Sequence, residues 1–410
     1  MAFIFFVSLA IVADAHLIFF KLKMADIMAN LKTFQPEYGA GINEPLLHLR
    51  CRVKGLTATA CAHILFFCKV LQATRPKKGK CEEPSASPQA LNGSQTLKIG
   101  IIGGGHIGKQ LARVLLQLTD ISGKNIQIST RQPEKLSEFQ MLGVNCFYNN
   151  RQLADWADVI FLCCLPSHLP NICSEVQDAL KRCSIIYSLV TAIPLPRLRQ
   201  LLSCNSIIRP QYRFRESAPF HMWTASRTLV EALRDPAVIQ ATCPCNPTGE
   251  IVVNTNWLAA VFYAALNSYT WQGLRYARAL ALLNQVCFPD DNAVTSGDDK
   301  SPPLLECENF INQAFASTLL PDDCLPWFDL TTVQLKDSPL SQLLTTDVFF
   351  RDNIASFYCN MLTGLPVNNE ESVTASFTRA NLSAVLLNPI KTCTLDGTSK
   401  AEEPSSADRF

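Results

Sequence analysis

The stretch from Leu97 to Val114, LKIGIIGGGHIGKQLARV, decides the fold of this 410-residue chain. Five glycines fall within nine residues, between an isoleucine-rich run and a segment with apolar residues at helical spacing from Ile107 to Leu118. A short apolar run of this kind is typical of a strand that is buried on both faces. The stretch therefore predicts a strand, a tight turn and a helix.

The turn itself matches the pattern G-x-G-x-x-G, which is typical of dinucleotide-binding loops. In that pattern Gly103 makes the turn, Gly105 lets the backbone approach a pyrophosphate, and Gly108 lets the helix pack closely on the strand. His106 and Ile107 complete the predicted loop at the helix N-terminus, which favours phosphate groups, and His106 is expected to contribute its backbone. The alternative is a glycine turn with only a packing role.

Three further apolar runs extend the pattern beyond the first strand. Residues 125–130 (NIQIST) follow at the distance expected for a βαβ unit, and residues 158–164 (DVIFLCC) and 184–190 (SIIYSLV) follow after intervening segments. Strands that alternate with helices indicate a mostly parallel sheet with helices on both faces. The predicted fold class is α/β, a Rossmann-type doubly wound sheet followed by a mainly helical C-terminal domain.

The end of the second strand indicates which dinucleotide binds. An NAD site usually has an acidic residue there, whereas an NADP site has an arginine for the 2′-phosphate. The chain has Ser129, Thr130 and Arg131 at this point and no carboxylate before Glu134. Two hydroxyls and a guanidinium favour a phosphate, so the predicted cofactor is NADP. The alternative is that Arg131 is an ordinary solvated side chain.

Composition shifts predict the domain organisation. We expect an N-terminal extension and cap at 1–73, a linker at 74–95, the NADP-binding domain at 96–215, a helical domain at 216–390 and a disordered tail at 391–410.

The helical domain is predicted from three apolar-periodic segments. They are residues 257–288, preceded by the capping candidates Thr255 and Asn256, then residues 304–319 and 340–365. Its aromatic side chains are interpreted as part of a hydrophobic core. The surface of this domain is a candidate interface for a homodimer.

Charge and cysteine usage exclude several classes of protein. Lysine and arginine total 36 and aspartate and glutamate total 35, so nothing favours a nucleic-acid partner. The 17 cysteines lack the spacing of zinc sites and are interpreted as free thiols, so no metal is expected. Residues 2–12 resemble the apolar part of a signal peptide, yet no basic residue precedes them, and Asp14 and His16 interrupt a spanning helix. A cytoplasmic protein without a stable membrane span is expected.

Five runs together resemble the N-terminal domain of pyrroline-5-carboxylate reductase. They are IGIIGGGHIGKQLA, STRQPEKL, NNRQLADWADVIFLCCLPSHLPNI, SIIYSLVTAIPLPRL and SIIRP, within residues 97–215. The resemblance implies that Asn150 binds the cofactor. It also implies that Cys164, Leu165 and Pro166 line the nicotinamide side, and that Thr191 lies beside the nicotinamide.

Departures from the reductase pattern concern the substrate. Leu165 stands where the family has lysine, residues 210–212 replace its N-T-P, and its C-terminal G-S-G-P-A segment is absent. The expected function is therefore an NADP-dependent oxidoreductase for a small imine or carbonyl substrate that is not pyrroline-5-carboxylate. The alternative is a non-catalytic NADP-binding sensor or interaction module. Candidate proton donors are Ser167, His168 and Thr191, and no catalytic residue is assigned.

Overall fold

A computed structural model describes residues 44–75, 96–215, 228–246, 249–289 and 305–364. The expected tail at 391–410, nearly all of the expected linker and the chain before Glu44 lie outside the described residues. Those expectations stay predictions, as do the domain boundaries.

Six parallel strands form one sheet with the order β3-β2-β1-β4-β5-β6. This is the strand order of the dinucleotide-binding Rossmann fold, so the predicted fold class is confirmed. The strands are β1 (Ile99–Ile102), β2 (Ile126–Ser129), β3 (Asn145–Phe147), β4 (Val159–Leu162), β5 (Ile185–Ser188) and β6 (Ile207–Ile208). A separate antiparallel pair is formed by β7 (Tyr212–Phe214) and β8 (Ile251–Val253).

The central strands are buried on both faces because helices cover the sheet on both sides. Along β4, Val159 and Phe161 belong to one hydrophobic core, while Ile160 and Leu162 belong to another. Alternate side chains of a strand point to opposite faces, so the continuous apolar run fills two cores at once. The helices between the strands are α2 (His106–Leu118), α3 (Ser137–Met141), α4 (Asn150–Trp156), α5 (Leu169–Val176) and α6 (Leu195–Leu202).

The register of the sheet places the loops of the candidate site next to one another. Ile102 at the end of β1 pairs with Ser129 at the end of β2 and with Leu162 at the end of β4. The loops that follow these three strands therefore meet at one edge of the sheet, where ligands bind in open α/β folds.

Helix α1 (Glu44–Ala73) is a core helix of 30 residues. His48–Ala73 is long and apolar enough to cross a membrane, but 83% of its most apolar window is buried inside the protein. It packs against α2 and against helices of the C-terminal half. This helix is the described part of the predicted extension and cap at 1–73, and it contributes to the larger of the two cores.

The C-terminal half is mainly helical, as predicted, but its helices are shorter than the sequence pattern suggests. The single apolar segment predicted at 257–288 is two helices, because Gly273 adopts a φ of +73° that interrupts the first. Asn254, rather than Thr255 or Asn256, precedes that helix. The elements are α7 (Leu229–Ala232), α8 (Pro236–Thr242), α9 (Thr255–Trp271), α10 (Tyr276–Cys287), α11 (Gln313–Ala316), α12 (Leu330–Leu335), α13 (Pro339–Thr346) and α14 (Val348–Thr363).

A chain of buried hydrogen bonds links α1 to the sheet and to α9. The Trp257 indole Nε1 donates to the Tyr187 hydroxyl over 3.0 Å, and Tyr187 hydrogen-bonds to Tyr212. His63 Nδ1 lies 3.2 Å from the Tyr212 hydroxyl, and His63 Nε2 lies 2.8 Å from the Thr242 carbonyl oxygen. Because a carbonyl only accepts, Nε2 carries the proton and Nδ1 accepts from Tyr212. Burial lowers the pKa of His63 to about 4, so the imidazole is neutral at pH 7.

Candidate cofactor site

The first glycine of the turn has the backbone that the sequence pattern predicts. Gly103 has a φ of +113°, a region that L-residues rarely adopt, and its N–H donates to the Ser129 carbonyl over 2.9 Å. A Cβ placed on Gly103 would lie 2.6 Å from the Cys163 carbonyl oxygen. The turn is therefore packed directly between the ends of β2 and β4.

The other two glycines of the motif have opposite surroundings. A Cβ on Gly108 would lie 2.0 Å from the Gly103 carbonyl oxygen, so α2 approaches the turn too closely for any side chain. A Cβ on Gly105 would meet nothing within 4 Å. Gly105 is the N-cap of α2 and has no side chain to cap the first N–H groups of that helix. Open space at an uncapped helix N-terminus fits the phosphates of a dinucleotide.

His106 is the first residue of α2, directly after this open space. Burial and, to a smaller extent, the nearby cations Arg113 and Lys109 together lower the pKa of the His106 imidazole to about 4. The ring is neutral at pH 7, so His106 adds no charge of its own to the positive potential that the backbone gives this helix end.

The tip of β2 lies beside the turn. A Cβ on Gly104 would lie 2.9 Å from Thr130 Cβ, and the Thr130 N–H donates to the Phe147 carbonyl over 2.8 Å. Thr130 is half-buried, whereas Arg131 is exposed. Thr130 therefore packs against the glycine turn, and Arg131, the next residue, lies on the solvent-exposed side.

The loop after β4 forms another wall of this edge. The Cys163 N–H donates to the Ile102 carbonyl over 2.9 Å, and Cys164, Leu165 and Pro166 follow as half-buried residues. Burial raises the pKa of the Cys164 thiol to about 12 and raises that of Cys163 as well. Neither thiol is a thiolate at neutral pH, so neither is suited to nucleophilic chemistry.

The side-chain amide of Asn150 already has a hydrogen-bond partner within the protein. Its side chain is 5% exposed, and Nδ2 donates to Glu175 Oε2 on α5 over 2.7 Å. The neighbouring Asn149 caps α4 by accepting from the Gln152 N–H. The contact of Asn150 with a cofactor stays a prediction, and the structure assigns its amide a partner that the sequence did not indicate.

A cavity lies next to Thr191, after the end of β5. Arg209, Gln211, Asn254 and Gln334 line it together with Thr191, although they come from separate segments of the chain. The sequence indicates Gln211 only as part of the departure at residues 210–212, and it assigns no role to Arg209, Asn254 or Gln334. The only signal was a charged residue, Arg209, directly after the short apolar run of β6.

Comparison with known proteins assigns the chain to a family. Residues 98–190 match the family model described as NADP oxidoreductase coenzyme F420-dependent. NADP-dependent oxidoreductase domain-containing protein 1 of Mus musculus is 38% identical over 353 residues, which cover 84% of this chain and 96% of the mouse protein. The chain belongs to the family of NADP-dependent oxidoreductase domain-containing protein 1. With 84% of this chain covered, the similarity to this family extends into the helical C-terminal half.

The sequence similarity of this chain to two curated pyrroline-5-carboxylate reductases is limited to part of each protein. Pyrroline-5-carboxylate reductase 3 of Danio rerio is 27% identical over 128 residues, which cover 31% of this chain and 43% of the reductase. The Corynebacterium melassecola reductase is 30% identical over 111 residues and 41% of its length. A solved reductase from Coxiella burnetii aligns with 18% identity and a TM-score of 0.28 over 65% of this chain and 99% of its own, which supports no conclusion about function.

Proposed function

We propose that this protein is an NADP-dependent oxidoreductase that transfers hydride between NADP(H) and a small imine or carbonyl compound. The observation that carries the proposal is the open space at Gly105, at the N-terminus of α2. The other two glycines of the motif, Gly103 and Gly108, tolerate no side chain. Membership of a family whose mouse member is named as NADP-dependent supports the choice of cofactor. When bound, NADPH would supply the hydride.

The residues of this chain would bind and orient the cofactor. The backbone from Gly105 to Ile107 at the start of α2 suits the pyrophosphate, and Thr130 with Arg131 suits the 2′-phosphate. Residues 164–166 and Thr191 would border the nicotinamide, at the carboxyl ends of β4 and β5. A neutral His106 adds no charge beside the phosphates.

Arg131→Ala is expected to weaken NADPH binding far more than NADH binding. The loss for NADPH is expected to be about 1.5–3 kcal/mol, because a hydrogen bond to a charged group is removed. The two affinities are to be measured by fluorescence titration of the full chain. Arg151→Ala, an exposed arginine on α4, is the matched control and should change neither affinity. Equal losses for both cofactors would exclude the assignment of Arg131 to the 2′-phosphate.

Turnover tests the proposed activity. NADPH oxidation is to be followed by absorbance with a panel of cyclic imines and ketones, because these offer the carbon electrophile that accepts a hydride. We expect slow, saturable oxidation with at least one of them. NADPH binding without turnover across the panel would favour the alternative, a non-catalytic NADP-binding module. The observation that supports this alternative is Leu165, which stands where the pyrroline-5-carboxylate reductases have a lysine.

The chain is not expected to replace pyrroline-5-carboxylate reductase. Hydride transfer requires the acceptor carbon to be held about 3–3.5 Å from the donor, and small misplacement costs orders of magnitude in rate. By resemblance, the G-S-G-P-A segment gives that positioning in the reductases, and this chain lacks it. A proline auxotroph should therefore stay auxotrophic when it expresses the chain at a level confirmed by immunoblot. Growth without proline would overturn this expectation.

Location and assembly are further proposals. The cysteines in the part of the chain that the structure describes are all free, which suits a reducing, cytoplasmic location. We also propose a homodimer through the helical half, where exposed apolar side chains such as Trp271, Leu320 and Val348 are candidate contacts.

A further inference from the structure

Two consecutive asparagines at the start of α4 make different contacts. Asn149 is the N-cap of α4, and its side-chain oxygen accepts from the Gln152 N–H over 2.9 Å. Asn150 is the first residue of the helix, so the cap does not use its side chain. Its side chain is nonetheless held inside the protein, with an exposure of 5%. A buried amide that the helix does not need calls for another purpose.

Helix α4 begins close to the glycine turn. A Cβ on Gly100 in β1 would clash with Leu153 Cδ2 and would lie 3.0 Å from Ala157 Cβ, so this helix packs directly on that strand. A helix that connects two parallel strands runs in the direction opposite to them. Asn150, one turn before Leu153, therefore lies nearer to the carboxyl end of β1, where the turn begins at Gly103.

Glu175 on α5 fixes the orientation of the Asn150 amide. Its Oε2 accepts from Asn150 Nδ2 over 2.7 Å. An ionised carboxylate only accepts hydrogen bonds, so the nitrogen end of the amide must face Glu175. Hydrogen bonds to a charged group are about twice as strong as those between neutral groups, so this orientation is well held. The amide oxygen Oδ1 consequently faces away from Glu175.

The oxygen end of the Asn150 amide is available to a ligand. Within the described ranges no protein group donates a hydrogen bond to Oδ1, and Oδ1 does not belong to the partnerless oxygens that are sealed from solvent, such as Gln127 Oε1 and Ser129 Oγ on β2. Oδ1 carries lone pairs and no hydrogen, so it accepts from a hydroxyl or an N–H group. It cannot bind a phosphate oxygen, which also only accepts.

We propose that Glu175 is a positioning residue, which turns the Asn150 amide so that Oδ1 accepts a hydrogen bond from a ribose hydroxyl of the dinucleotide. A ribose hydroxyl is the group that fits beside the glycine turn, because the riboses on either side of the pyrophosphate carry the nearest donors. The inference rests on the proposed function, since it takes a dinucleotide as the ligand of the turn. It assigns to α5 a role in cofactor binding through a side chain that touches no cofactor itself.

Glu175→Gln tests this role by the sign of its effect on NADPH binding. The substitution removes a negative charge near the phosphates, so a purely electrostatic role would leave the affinity unchanged or make it tighter. It also lets the Asn150 amide turn over, because a glutamine amide both donates and accepts. We expect the affinity to fall about three- to ten-fold, with little change in melting temperature. Asp178→Asn, which removes the same charge at an exposed position just after α5, is the matched control and should not weaken binding.

Exchanging the two side-chain types gives a sharper test. With Asn150→Asp and Glu175→Gln together, the glutamine amide donates to one aspartate oxygen, the other oxygen remains an acceptor, and the net charge of the pair is unchanged. We expect the NADPH affinity of this double variant to lie within about three-fold of the parent. Asn150→Asp alone sets two carboxylates against each other and should bind about ten-fold more weakly or worse. A double variant that binds no better than Asn150→Asp alone would show that the cofactor needs the amide N–H, and would overturn the proposal.

Fluorescence titration of the full-length parent with NADPH separates this inference from the proposed function. A parent that does not bind NADPH would refute both. A parent that binds NADPH, together with a Glu175→Gln variant that binds it equally well or more tightly, would refute the role of Glu175 alone.

Discussion

Gly105→Val is expected to abolish NADPH binding while the protein remains folded. The Gly105 backbone has a φ of −78° and a ψ of −164°, which an L-residue adopts without strain, and a Cβ there meets nothing within 4 Å. The valine side chain would instead fill the open space at the start of α2, where the pyrophosphate is proposed to lie. We expect an affinity loss of about 100-fold or more, which is about 3 kcal/mol, with little change in melting temperature.

Gly108→Val is the matched control for that experiment. Its Cβ would lie 2.0 Å from the Gly103 carbonyl oxygen, so α2 or the turn must move and both the melting temperature and NADPH binding should fall. Fluorescence titration and thermal unfolding by circular dichroism measure the two effects separately. If Gly105→Val binds NADPH as the parent does, the glycine turn has only a packing role.

Acidic pH is expected to destabilise the fold through the buried His63. Its folded-state pKa of about 4 lies below the unfolded value of about 6.5, so the unfolded chain takes up the proton first. The stability that depends on neutral His63 is present above pH 6.5 and is lost as the pH falls toward 4. The loss of free energy of unfolding is about 3 kcal/mol. His106, whose pKa is also lowered to about 4, adds to the loss in the same direction.

Two variants test the assignment to His63. His63→Gln keeps a donor and an acceptor but cannot titrate, so its free energy of unfolding should fall less between pH 7 and pH 4 than that of the parent. His168→Gln, which changes a half-buried histidine outside this network, should follow the parent curve. Urea unfolding at several pH values provides the measurement. Parallel pH profiles for the parent and His63→Gln would show that another group controls the acid sensitivity.

The central strands of the sheet could be predicted because each is a short apolar run buried on both faces. Strands β3 and β6 could not be predicted, because they have three and two residues and are too short to show a pattern. The apolar pattern also joined α9 and α10 into one segment, since a single glycine at 273 did not outweigh a long apolar run. Whether a glycine interrupts a helix depends on how the residues after it pack in the folded protein. That packing cannot be read from the local sequence.

The turn could be predicted in more detail than the rest of the site. The roles given to Gly103 and Gly108 depend on local backbone sterics, and the structure has the expected close approaches at both. The cavity at Arg209 could not be predicted, because Asn254 and Gln334 reach it only through tertiary packing. The pairing of Asn150 with Glu175 was missed for the same reason.

An equilibrium titration of the full chain with NADPH and with NADH tests most directly whether the glycine turn and Arg131 form an NADP site. We expect saturable binding of one NADPH per chain in the micromolar range and an NADH affinity at least about ten-fold weaker, because only NADPH carries the phosphate for Arg131. Failure of NADPH to bind at millimolar concentration would contradict the cofactor site itself.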